Sequence, residues 1–176
     1  MDWIYLLPIL AFIALASGLI VVFRRTGRIV ARTRETEGFR SGVRDLCSRI
    51  DQSLASAATR IDQVRHHELG PESIGETLRE ASDAVDQYLV EARALRVPVA
   101  AVEIRDDLVA GLERAGRALE TVEHGTTIMT SARGGARELE AQTSIKRGYL
   151  NLVHARDLIA RQAPLADGLS TRPDRT

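Results

Sequence analysis

Two adjacent histidines, His66 and His67, lie in the stretch RHHELGPES (65–73) beside an acid and a Gly-Pro pair. Imidazoles next to a carboxylate are the groups that move protons, accept phosphate or bind metals near neutral pH. Each residue of the stretch also has a structural account. His66 and His67 close a helix, where a cation meets the favourable end of the helix dipole. Gly70 breaks the helix, and Pro71 suits the first position of the next. A corner between two helices is therefore the expectation for 65–73.

Three kinds of site chemistry can be tested against the spacing. HELGP resembles the H-E-L-R-T-P box of sensor histidine kinases, and that resemblance implies a phospho-accepting histidine. One residue is missing before the proline, however, and no glycine-rich nucleotide-binding domain follows. The H-x-x-K-G pattern of histidine phosphotransfer bundles surrounds none of the four histidines. A dinuclear metal centre in a helical bundle uses Glu-x-x-His on two helices. Gln63, Val64, Thr121 and Asn151 stand three residues before His66, His67, His124 and His154, so that pattern is absent. Glu120 and His124 share a helix face, but two ligands make no site. The single cysteine, Cys47, excludes an intramolecular disulfide and a cysteine zinc site. It adjoins the Leu46/Ile50 stripe and reads as packing. Gly134-Gly135 reads as a hinge or cap, and Ser and Thr at 126–131 fit no modification pattern. The sequence thus names no catalytic, cofactor-binding or metal residue, and the expectation is a protein that is not an enzyme.

The segment WIYLLPILAFIALASGLIVVF, Trp3 to Phe23, carries no charged side chain. As a helix its residues cover roughly 31 Å, matching a hydrocarbon core of about 30 Å. Trp3 and Tyr5 suit one headgroup boundary, and Arg24 and Arg25, just after the last anchor residue Phe23, suit the other. Five arginines follow (Arg24, Arg25, Arg28, Arg32 and Arg34) before the next acid, whereas one acid, Asp2, precedes the span. The positive-inside rule then puts the N-terminus outside and the rest in the cytoplasm of a bacterial inner membrane. The same arginines can hold anionic lipid headgroups. Ala14-Leu15-Ala16 before Ser17 offers a cleavage pattern, but the leading residues lack the basic charge of a signal peptide. Formal net charge is zero overall, with nothing to steer the chain towards nucleic acid.

Beyond the anchor, the chain is rich in Ala, Leu, Arg and Glu, all strong helix formers. Phe39, Val43, Leu46, Ile50, Leu54, Ala57, Ile61 and Val64 form one helical stripe. Ile74, Leu78, Ala81, Val85, Leu89, Ala92 and Leu95 form a second, ended near Pro98. Ile104, Leu108, Leu112, Ala115, Leu119 and Val122 form a third, with Gly125 as its stop. TTIMTSARGGAR reads as a loop. A fourth helix, 136–162, points Leu139, Ile145, Tyr149, Leu152, Ala155 and Ile159 inward, and Pro164 stops it. The expected fold is all-α: a transmembrane anchor (1–23), a basic juxtamembrane segment (24–37), an antiparallel up-down four-helix bundle (38–164) and a polar disordered tail (165–176).

SRIDQSL and GYLNLVHARDLIARQAP are similar to two stretches of LemA-like proteins, S-x-I-D-x-Q-L and a final Y-N-x-x-V…P segment. That resemblance implies an outward N-terminal anchor, long cytoplasmic helices and an envelope-associated role. The family's R-R-x-D-L-I-P-N-L run is absent, replaced by ASAATRID. Taken together, the residues lead us to expect a single-pass anchored bundle. It would work by binding a protein partner or a second copy through a helix face. The rival expectation is a phosphorelay component using His67 or His154.

Overall fold

A computed structural model describes residues 3–131 and 136–169, with side chains described for 33–131 and 137–169. Four long helices carry the chain: α1 (Trp3–Arg65), α2 (Gly75–Ala94), α3 (Val102–Ser131) and α4 (Ala136–Ala160). A short α5 (Gln162–Asp167) follows, and 3₁₀ turns at Pro71–Ile74 and Val99–Ala101 lead into α2 and α3. There is no strand among the described residues. Each helix packs on its sequence neighbour, and α4 closes the ring against α1. Cross-helix pairs such as Arg49–Glu91 and Arg60–Thr77, or Gly111–Ile159 and Gly125–Ile145, run in opposite directions along their helices. The architecture is an antiparallel up-down bundle.

The apolar stripe on α1 is buried throughout, from Phe39 to Val64. Helical periodicity is enough to produce this, because every third or fourth residue returns to the same face. The α2 stripe behaves likewise, with Leu89 and Leu95 half-buried at its edge. The chain leaves α2 at Leu95, whose ψ of 132° is extended, and re-enters helix after Pro98.

The contact between α3 and α4 has a different basis. A methyl group added at Gly148 would lie 2.5 Å from Val122 Cγ2 and 2.9 Å from the Ala118 carbonyl oxygen. At Gly125 it would meet Ile145 Cγ1 at 2.8 Å, and at Gly111 Ile159 Cγ1 at 2.8 Å. Small residues recur every seven positions on both helices: Gly111, Ala118 and Gly125 on α3, and Ala141, Gly148 and Ala155 on α4. The two backbones therefore approach closely, and larger side chains of each helix fill notches in the other.

This seam explains three departures from the sequence expectations. Gly125 does not stop α3; it lies buried in mid-helix because the approach to α4 excludes a side chain. TTIMTS is helical to Ser131, and its hydroxyls fold back on carbonyls three or four residues earlier, as from Thr127 Oγ1 to Glu123 O at 2.9 Å. Leu139, expected inward, is 67% exposed, because the inward seam of α4 runs through Ala141, Ile145 and Gly148. Pro164 does not end the fold either. It sits inside α5, where Ala166 is buried and its carbonyl accepts a hydrogen bond from Arg40 Nε at 3.2 Å. Residues 165–169 are consequently part of the packed chain and not of a disordered tail, and 170–176 lie outside the described residues.

Arginine–carboxylate pairs tie the remaining contacts: Arg49–Glu91 for α1–α2, Arg93–Glu113 for α2–α3, Arg156–Asp51 for α4–α1 and Arg44–Asp167 for α1–α5. The hydrogen bond from Arg49 holds the Glu91 carboxyl below the usual range. These pairs are largely solvent-exposed, so each adds little to stability and mainly sets which helix faces which. None of the ion pairs among the described residues joins α3 to α4.

Among the described residues no helix is long and apolar enough to cross a membrane. The expected anchor, residues 3–23 with Trp3, Tyr5 and Phe23, lies outside the described side chains, as do Arg24, Arg25, Arg28 and Arg32. Arg34 is described and exposed.

Gly148→Ala should lower stability by about 1–3 kcal/mol through overpacking of the seam. Gly38→Ala, with nothing within 4 Å of the added methyl, should raise it by about 0.5–1 kcal/mol. Urea unfolding of the full chain followed by circular dichroism reads both signs.

Candidate functional site

The histidine pair does form the corner between α1 and the 3₁₀ turn before α2. The His67 amide donates to Val64 O at 3.1 Å and the Glu68 amide to Gln63 O at 2.9 Å. This is the two-bond closure that satisfies the last carbonyls of a helix. It requires a left-handed residue at the position after the cap, and here that residue is His67, at φ 60°. It is the one non-glycine residue with positive φ among those described. Glycine takes this conformation freely, whereas a residue with a Cβ is penalised by about 1–2 kcal/mol.

The corner borders the α3–α4 hairpin, and between them lies a cavity of about 240 Å³. Val64, Arg65, His66 and His67 line it from the end of α1. Gln142, Ile145 and Lys146 line it from α4, and Met129 from α3. Its floor is apolar, with Val64 and Ile145 buried in the core and Met129 packed on it. Its rim carries four groups that are cationic or can become so.

These rim groups are not equally engaged. Arg65 Nη1 lies 2.8 Å from Asp62 Oδ1, and its guanidinium stacks 4.6 Å above the Tyr149 ring centroid. His66 Nδ1 faces Asp62 Oδ2 at 3.7 Å, and Arg65 Nη2 lies 3.4 Å from His66 Nε2. Lys146 makes no ion pair among the described residues, and neither does His67.

The other sequence leads resolve as structure. His124 and His154 are exposed on helix surfaces, and no group of three or more metal-ligating side chains forms among the described residues. Cys47 is buried and donates through Sγ to Ile159 O at 3.4 Å. Burial pushes its thiol up to about 11, so it stays protonated and unreactive near neutral pH. Gly134-Gly135 lies outside the described residues. Sequence reasoning missed Lys146, Gln142 and Met129, since nothing in the chain says that the third turn of α4 faces the end of α1. One signal was available in retrospect. Lys146 is the sole lysine among 24 basic residues, and Met129 is the sole methionine after Met1.

His67→Gly should stabilise the fold by about 1 kcal/mol by relieving the left-handed residue. A higher midpoint of thermal unfolding would show it. Cys47 should resist alkylation by iodoacetamide at pH 8 in the native protein and react promptly in 6 M guanidinium. Mass spectrometry of pulse-labelled samples distinguishes the two.

No family model, no curated protein and no solved structure matches this chain, so the resemblance to LemA-like proteins rests on two short stretches and no relative supplies a function.

Proposed function

We propose that the protein is a single-pass, membrane-anchored helical module that acts by binding at the cytoplasmic face of a bacterial inner membrane, without catalysis. The observation that carries this reading is the continuity of α1. One helix runs from Trp3 to Arg65, so the uncharged stretch at its start and the first member of the bundle belong to a single element. Among the described residues, the buried core begins at Phe39. From Phe23 to that residue a helix covers about 24 Å, which would hold the bundle clear of the headgroups as on a stalk. The Arg24, Arg25, Arg28, Arg32 and Arg34 cluster would set its orientation and hold anionic lipids.

The outer faces support the binding part. Leu139 and Leu150 are 67% and 54% exposed on α4, eleven residues apart and on one side of the helix. A protein partner or a second copy would gain apolar burial there.

Reporter fusions after Arg172 test the topology. Cytoplasmic reporter activity, with the full-length chain in the membrane fraction, is the expected result. Activity of only an export-dependent reporter would reverse the orientation, and a chain found wholly outside the membrane fraction would remove the anchor.

A further inference from the structure

The cavity between the α1 corner and the α3–α4 hairpin has features that the bundle itself does not need. Arg65, His66 and His67 are partly explained by their place at a helix C-terminus, where cations offset the dipole. Lys146 has no such explanation. It comes from a different helix, in its third turn, and it makes no ion pair among the described residues. His67 is held in a conformation that glycine would adopt with less strain, and this keeps its ring on the rim. Backbone strain retained where a simpler residue would relieve it is a mark of a functional position.

We propose that this cavity binds a small soluble phosphate monoester with a compact apolar alcohol part. The charge and donor arrangement fits that class. The Lys146 ammonium, the His67 ring and the Gln142 amide can all donate to phosphate oxygens, with three oxygens available to receive them. Arg65 is turned towards Asp62 and Tyr149, so it borders the site without being its main cation. Val64, Ile145 and Met129 offer the apolar part an apolar floor. A volume of about 240 Å³ admits a phosphate and a few carbons. This assignment does not depend on the membrane anchor.

The site comes with its own reporter. Met129 and Met1 are the only methionines, so a methyl-labelled full chain in zwitterionic nanodiscs gives one signal at the cavity and one control. Titration with n-butyl phosphate should shift the Met129 methyl saturably and leave Met1 unmoved. Inorganic phosphate and n-butanol, each lacking one half of the ligand, should bind at least about fivefold more weakly. Lys146→Gln and His67→Gly should each weaken n-butyl phosphate by about fivefold or more, and Arg93→Gln, a surface cation paired with Glu113, should not. His67→Gly is the discriminating variant, because it should bind worse while folding better. Absence of a saturable shift, equal weakening by Arg93→Gln, or unchanged affinity in Lys146→Gln would each overturn the proposal. A shift seen only after adding phosphatidic acid to the nanodiscs would overturn the assignment to a soluble ester.

Discussion

The close approach of α3 and α4 is the constraint on which the rest of the bundle depends. Gly111, Gly125 and Gly148 each occupy a point where a methyl group would fall inside contact distance of the opposite helix. Large side chains fit only because these positions are empty: Ile159, Ile145 and Val122 enter the notches and are buried. Close packing of this kind recovers dispersion contacts that a chain with few aromatics has little other means to gain. Glycine inside a helix ordinarily weakens it by about 0.5–1 kcal/mol, so the seam must return at least that much through packing.

Fixing α3 against α4 has consequences at both ends of the hairpin. At one end, the register carries Ile145 and Lys146 to the level of the α1 corner, which creates the cavity with Met129. At the other, α4 turns into α5, whose Ala166 carbonyl and Asp167 carboxylate reach back to Arg40 and Arg44 on α1. The helices α1 and α2 are held by longer apolar stripes and exposed arginine–carboxylate pairs. Tyr88 joins them, with its hydroxyl 2.9 Å from Ser53 Oγ.

The two proposals concern different parts of the molecule. A continuous α1 would place the bundle on a stalk above the bilayer, with the histidine corner at the far end of α1 from the anchor. A ligand there would come from solution and not from the protein's own membrane. Occupancy of a site formed jointly by the end of α1 and the α3–α4 hairpin would also bridge the two halves of the bundle. It would therefore favour whichever arrangement keeps them together.

Much of this fold was legible in the residues alone. The stripes from Phe39 to Val64 and from Ile74 to Leu95 state their buried faces, because helical geometry alone brings every third and fourth position together. The Gly-Pro break after His66-His67 likewise specified a corner, since proline and glycine act through local backbone sterics. What failed were the stops expected at Gly125 and Pro164 and the inward side expected for Leu139. Leu139 looks like a core residue and is exposed, whereas Gly125, which looks like a helix stop, joins Ala141 and Gly148 in the close contact between α3 and α4. A glycine ends a helix or admits a neighbouring backbone according to what lies opposite, and no local rule contains that partner. The same holds for the cavity. The sequence by itself determined the helical stripes, the corner at Gly70-Pro71, the break before Pro98 and a charge-free N-terminal stretch, because these follow from local sterics and periodicity. Only the tertiary structure decided that Lys146 and His67 line one cavity, because that juxtaposition depends on how α4 packs beside the end of α1, two elements far apart in the chain.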